Sequence, residues 1–257
     1  MLRVEGLSIS FGGLTALSRV SFEVGRGEIY ALIGPNGAGK TTVFNVLTGL
    51  YRPTGGAAYF DGVELTRLPP HQIARLGIAR TFQNTEVFRR LSVLDNVLIG
   101  SHVRLSGGVL GGALLLASVR REEAEARQRG LALLRQFGLA DAAHVEASSL
   151  PLGFQKRLEI ARALASAPRL VLLDEPAGGL NPTETQALMG VISRLRDEAG
   201  LTILVVEHNM ELVMGVSDRV AVLHYGRKIA EGKPREVARD PAVVEAYLGG
   251  GDDAGDA

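Results

Sequence analysis

Nine consecutive residues constrain this chain more than any others: Gly34-Pro35-Asn36-Gly37-Ala38-Gly39-Lys40-Thr41-Thr42. They fit G-x-x-x-x-G-K-[ST], a loop whose glycines let successive backbone N–H groups turn inward around a phosphate chain. The flanks are the ones this loop needs. Ile29–Ile33 before it is a short apolar run of the kind that forms a buried parallel strand. Thr41–Thr48 after it is amphipathic enough for a helix, with Gly49 placed to cap its C-terminus. The helix N-terminus, with its unpaired N–H groups and positive dipole end, then points at the bound phosphates. Lys40 is expected to reach the β- and γ-phosphates, and the Thr41 hydroxyl to ligate Mg²⁺. A ligand-free strand-to-helix turn is the alternative, and the Lys-Thr pair in its place argues against it.

A strand–loop–helix unit of this kind belongs in a parallel α/β sheet, and the 257 residues, 46% of them hydrophobic, are enough to cover one on both faces. Acidic and basic residues number 28 each, so net charge draws the chain to no nucleic acid. The absence of cysteine removes disulfides, thiolate metal sites and cysteine nucleophiles. Met1-Leu2-Arg3-Val4 does not start a signal peptide, and Val109–Ala117 is too short to span a bilayer, so a soluble, cytoplasmic protein is expected.

Leu7–Phe11 and Val20–Val24 alternate as half-exposed antiparallel strands do. Phe11, just ahead of Gly12-Gly13, could stack on a base, although a strand Phe is ordinarily core. Another strand is expected over Ala57–Phe60, and a helix-like segment over Ile73–Ala79. From Val93 to Ala165 the pattern is mostly helical, with Glu125 and Arg129 paired at i,i+4 on a solvated face. The apolar run Leu170–Leu173 ends in Asp174-Glu175, which puts two acids at the carboxyl end of a buried strand, where open α/β sheets bind ligands. Beside a phosphate loop, Asp174 there is an Mg²⁺ partner and Glu175 can orient or deprotonate water; capping a helix is the plainer alternative. Thr202–Val206 repeats the pattern and ends at Glu207-His208. Arg219–Leu223 and Lys228–Ala230 form a hairpin pattern, Pro241–Leu248 a last helix, and the acidic, glycine-rich tail is expected to be disordered.

Taken together these residues resemble the ATP-binding subunit of an ABC transporter over about residues 2–249. Gly34–Thr42 looks like the Walker A loop, Gln83 sits at the Q-loop, and Leu170–Glu175 matches Walker B with its catalytic glutamate. Asn181 falls in the D-loop, His208 is placed as the switch histidine, and Phe11 lies where the family keeps its adenine-stacking aromatic. More narrowly, Arg80-Thr81-Phe82-Gln83, Gly179–Glu184, Glu207–Met210 and Tyr247-Leu248-Gly249 are similar to the ATPases of branched-chain amino acid importers. The ATPase of the lipopolysaccharide exporter is the nearest rival. Asn181-Pro182 and the insertion from about Ser101 to Ser118 favour the amino-acid group.

The resemblance implies a P-loop NTPase core with an N-terminal antiparallel β subdomain and an inserted helical subdomain at about 84–165, in one domain over 1–249, followed by the 250–257 tail. ATP is the expected substrate and Mg²⁺ the cofactor. Gly34, Pro35, Asn36, Gly37, Ala38, Gly39, Lys40, Thr41, Thr42 and Phe11 are the implied nucleotide contacts. Thr41, Gln83 and Asp174 surround the metal, and Glu175, His208, Gln83 and Lys40 carry the chemistry. The implied partners are two membrane-spanning permease subunits, a second ATP-binding subunit and an extracytoplasmic solute-binding protein, with the chain peripheral on the inner face of the membrane. The region from about Asn84 to Leu98 is implied to form the groove for a permease coupling helix. One motif departs from the family. The consensus Leu-Ser-Gly-Gly-Gln is written Leu150-Pro151-Leu152-Gly153-Phe154, so Pro151 offers neither hydroxyl nor N–H. Gly153 and the following helix N-terminus are left to face a partner subunit's ATP.

Overall fold

A computed structural model describes residues 1–81, 87–101 and 117–248. Gln83, most of the 101–118 insertion and the 250–257 tail lie outside the described residues.

Two sheets form the frame. The first is antiparallel, built from β1 (Leu2–Phe11), β2 (Leu14–Val24), β4 (Gly55–Phe60) and β5 (Val63–Glu64) in the order β2-β1-β4-β5. The second runs β10-β9-β3-β8-β7-β6, from β3 (Ile29–Ile33), β6 (Ile78–Arg80), β7 (Leu170–Asp174), β8 (Thr202–Val206), β9 (Arg219–His224) and β10 (Arg227–Gly232). Its strands pair in parallel except for the β9–β10 hairpin. Every residue of β3, β7 and β8 is buried, as strands covered on both faces must be, which is why each reads as an unbroken apolar run.

Alternate residues of those strands feed two cores. Tyr30 and Leu32, Leu170 and Leu172, Leu204 and Val206 face the antiparallel sheet and α1 (Lys40–Leu47), where Phe44 and Phe60 are fully buried. Ile29 and Ala31, Val171 and Leu173, Ile203 and Val205 face the helical side. Each buried Leu, Ile or Val among them contributes about 1.5–3 kcal/mol on leaving water. The helical side holds α3 (Val93–Gly100), α4 (Ala117–Gln136), α5 (Leu152–Leu164), α6 (Pro182–Ala199) and α7 (Met210–Val216), with α8 (Pro234–Val237) and α9 (Pro241–Leu248) closing the chain. Among the described residues no helix is long and apolar enough to cross a membrane.

The helix-like expectation over Ile73–Ala79 is corrected. A helix, α2, covers Pro70–Arg75, Gly77 turns the chain at φ 92°, and Ile78–Arg80 is the edge strand pairing with Leu170–Leu172. The β-branched Ile78 and a register set from across the sheet override the helical pattern.

Candidate functional site

The carboxyl ends of β3, β7 and β8 are neighbours in the sheet, and each releases one functional loop. From β3 comes the phosphate loop. Gly39, the N-cap of α1, takes φ 100°, and a Cβ there would sit 2.8 Å from the Ala16 carbonyl oxygen, so only glycine fits. Asn36, Gly37 and Thr41 are exposed, whereas Gly34, Ala38 and Lys40 are buried; Pro35, Gly39 and Thr42 are half-buried. Lys40 Nζ donates to the carbonyl oxygens of Gly34 at 2.7 Å and Pro35 at 3.0 Å, which curls the side chain over its own loop. Burial pushes the Lys40 ammonium below its ordinary pKa, against the pull of Glu175 and Asp174.

From β7 come Asp174 and Glu175. Asp174 Oδ2 accepts from Arg80 Nη2 at 2.7 Å, and both side chains are buried. Burial raises the Asp174 pKa, and the Arg80 hydrogen bond and charge only partly counter it. Its other oxygen, Oδ1, is buried with no hydrogen-bond partner among the described residues. A buried carboxylate oxygen left open beside the Lys40–Thr41 loop fits the donor set of a hard divalent cation, either directly or through water. Glu175 has a left-handed backbone, φ 46°, which costs on the order of 1–3 kcal/mol in a non-glycine residue. Its N–H donates to the Val206 carbonyl at 2.9 Å, so the main chain that carries this strain is tied to β8.

From β8 comes His208, exposed, with Nδ1 3.9 Å from Glu175 Oε2. Phe11 ends β1, 45% exposed, with its ring edge-on to Tyr51 at 5.1 Å between centroids. An exposed, supported ring at a strand end can stack on a base; a core Phe would be covered. The loop, Asp174, Glu175 and His208 thus emerge from three adjacent strands, while Phe11 lies on the other sheet. Gln83 falls outside the described residues.

Gly153 lies against the N-terminus of α6. Pro151 occupies the N-cap position of α5 in an extended conformation, where no N–H is required, and its carbonyl accepts from Phe154 and Gln155 at 3.0 Å each. Gly153 is buried, and a Cβ there would lie 2.8 Å from Glu184 Oε1. Two residues to which the sequence assigns no role also stand at the strand ends. Arg80 links Asp174 to Asn45 Oδ1, 2.7 Å away on α1. Glu207 is wholly buried at the end of β8; the rule that singles out Asp174, an apolar run ending in an acid, applies equally to it.

The family model described as ABC transporter matches residues 17–178, and that described as branched-chain amino acid ATP-binding cassette transporter matches 227–253. The high-affinity branched-chain amino acid transport ATP-binding protein LivG of Salmonella typhimurium is 48% identical, covering 97% of this chain and 98% of its own. The lipopolysaccharide export ATP-binding protein LptB of Acidithiobacillus ferridurans is 36% identical, over 97% of each chain. Among solved structures, the ADP conformation of MJ1267, an ATP-binding cassette of an ABC transporter, aligns with a TM-score of 0.85 at 33% identity, covering 97% of this chain and 98% of that one.

Proposed function

The chain belongs to the ABC transporter family of ATP-hydrolysing subunits, and from that premise we propose that it drives an importer of branched-chain or related amino acids. The observation that supports this substrate class is the match of residues 227–253 to the branched-chain model, together with 48% identity along the whole length to a LivG protein. Residues 1–249 form one ATPase domain in this reading, with the helical part at about 84–165.

ATP lies on the loop with its phosphates toward the N–H groups of Gly37 to Thr42 and its base against Phe11. Lys40 exchanges its two loop carbonyls for phosphate oxygens, a change of partner rather than a new desolvation, because it is already buried. Thr41 and Asp174, with Gln83 as the third expected ligand, would hold Mg²⁺, which would supply neutralisation of phosphate charge. Glu175 orients and deprotonates the attacking water, and His208 contacts the γ-phosphate. Most of the acceleration comes from placing these groups before the reaction rather than from covalent chemistry.

Gly153 and the α5 N-terminus complete the site of a second, similar subunit, so hydrolysis requires a head-to-tail pair. Between α2, α3 and α5 lies an open groove of about 720 Å³, lined by Leu50, Ile73, Ile78, Phe88, Ile99 and Arg162. It is the proposed seat of a permease coupling helix. Asn96 firms one wall, accepting from the Phe88 N–H at 2.8 Å and donating to the Phe88 carbonyl at 3.1 Å. The subunit is peripheral on the cytoplasmic face in this reading and contacts no nucleic acid.

The test is recovery of tagged protein from detergent-solubilised native membranes with its partners identified. Two polytopic permeases, a second ATPase and an amino-acid-binding protein are expected. Lipopolysaccharide-export components would replace the importer reading with the exporter one, and soluble ribosomal partners would remove transport altogether.

A further inference from the structure

Glu207 is a third carboxylate at the strand ends, and none of the steps above uses it. Its side chain has 0% exposure, and both its oxygens accept from backbone N–H groups. Oε1 takes the N–H of Ala177 at 2.8 Å; Oε2 takes those of His208 and Asn209, each at 2.8 Å. Ala177 stands two residues beyond Glu175 in the segment leaving β7. His208 and Asn209 open the segment leaving β8. The two strands are paired up to Asp174 opposite Val206, and no strand pairing holds the segments beyond that point.

We propose that Glu207 is a positioning residue for hydrolysis, clamping the Glu175 segment to the His208 segment and so fixing the separation of those two side chains. The inference rests on the roles given to Glu175 and His208 above. Hydrogen bonds to a carboxylate are the strong kind, and one group that accepts three of them from two segments leaves neither segment free to shift alone. The bond from Glu175 N to Val206 O anchors the start of the first segment, and Glu207 anchors it again two residues on. Helix formation does not call for this arrangement. Asn209 caps α7 with its own side chain, accepting from Leu212 N at 3.1 Å. An apolar residue of similar size would fill the space as well, but would leave the buried Ala177 N–H and the half-buried N–H groups of His208 and Asn209 without this acceptor.

The test is a double-mutant cycle between Glu207→Gln and His208→Ala in the full chain, assembled in the complex recovered from the membrane. Turnover is counted per nucleotide-binding site, and affinity is read with a fluorescent ATP analogue. Glutamine keeps the shape but sets an NH₂ against an N–H of one segment. Glu207→Gln is expected to lower kcat by about tenfold or more while analogue affinity stays within about threefold. In the His208→Ala background the same change is expected to cost less than about twofold, because its target is already gone. Glu207→Asp, which keeps the charge but shortens the reach, is expected to repeat the selective loss if the glutamine variant does not fold. Equal fold-losses in both backgrounds, or a fall in affinity matching the fall in kcat, would overturn the clamp and leave Glu207 a structural residue. Wild-type turnover in His208→Ala alone would instead remove the assignment of His208, and the clamp with it.

Discussion

Arg80 Nη2 lies 2.7 Å from Asp174 Oδ2, joining the edge strand β6 to β7, the strand that ends in that carboxylate. The side chains are 7% and 1% exposed, so the pair is desolvated on both sides. Such a pair adds little over an apolar replacement, but breaking it strands a buried charge at about 3–5 kcal/mol. Arg80→Met is therefore expected to lose stability of that order in urea unfolding, and adding Asp174→Asn is expected to recover most of it. The pH sign follows from the raised Asp174 pKa, which Arg80 lowers and its loss would raise further. The folded state then holds the Asp174 proton more tightly than the unfolded chain. The variant's deficit is expected to widen with rising pH above the wild type's own raised Asp174 value, where the wild type has released the proton and the folded variant still holds it.

Lys40 gives the opposite sign at the other end of the scale. Burial lowers its pKa, so between that lowered value and the ordinary one of about 10.4 the unfolded chain holds a proton that the folded protein has released. Stability gains with rising pH through this window. Relative to Lys40→Met, which cannot titrate, the wild type is expected to become more stable between neutral and alkaline pH in paired urea titrations. A flat or falling difference would contradict the desolvated placement of Lys40. The same variant is expected to bind ATP much more weakly, since the loop loses its one ammonium.

Gly153→Ala separates stability from function. The added Cβ would meet Glu184 at 2.8 Å, and Glu184 is half of the capping box that starts α6, accepting from Asn181 N at 3.0 Å while Asn181 Oδ1 accepts from Glu184 N at 2.9 Å. A disturbed cap costs about 0.5–2 kcal/mol, and replacing glycine by alanine within a helix returns about 0.8–1.0 kcal/mol. The net change in unfolding free energy is expected to stay within about 1 kcal/mol. ATPase activity is expected to drop all the same, because the segment proposed to face a second subunit's nucleotide must move away from α6. Unfolding curves and turnover measured on one preparation would show the split.

The sequence discloses what is local and repetitive. Ile29–Ile33 and Thr202–Val206 can be bounded to the residue because a strand covered on both faces has little room for polar members. Ile78–Arg80 cannot, since three residues show no period and its partner β7 lies far along the chain. The role of Arg80 is hidden for the same reason: its carboxylate is 94 positions away. The helix Pro182–Ala199 is a different case, because its start is written locally in Asn181, Pro182 and Glu184, the cap, first-turn proline and capping-box partner. Glu207 is legible by the rule that applies to Asp174, but its three N–H donors lie on two segments that only the sheet brings together. The backbone strain at Glu175, φ 46°, has no sequence signature, since it is imposed by the bond from its N–H to Val206 and by the turn that follows.

That strained glutamate carries the prediction that bears most directly on chemistry. Glu175→Gln keeps size and backbone, so nucleotide affinity is expected to stay near the wild-type value. The amide cannot accept the water's proton, and loss of a positioned base costs about 10²- to 10⁴-fold in rate. Single-turnover hydrolysis is expected to fall within that range, and ATP to remain bound long enough to be recovered intact from the complex. The His208 ring, 3.9 Å from Glu175 Oε2, offers a further comparison. If His208 contacts only the γ-phosphate, His208→Ala should slow turnover while leaving proton uptake to Glu175. Adding it to Glu175→Gln should then slow hydrolysis by no more than the factor it costs in the wild type. Wild-type turnover in Glu175→Gln would transfer the base to another group. The buried Asp174, already paired with Arg80, is poorly placed to take that role.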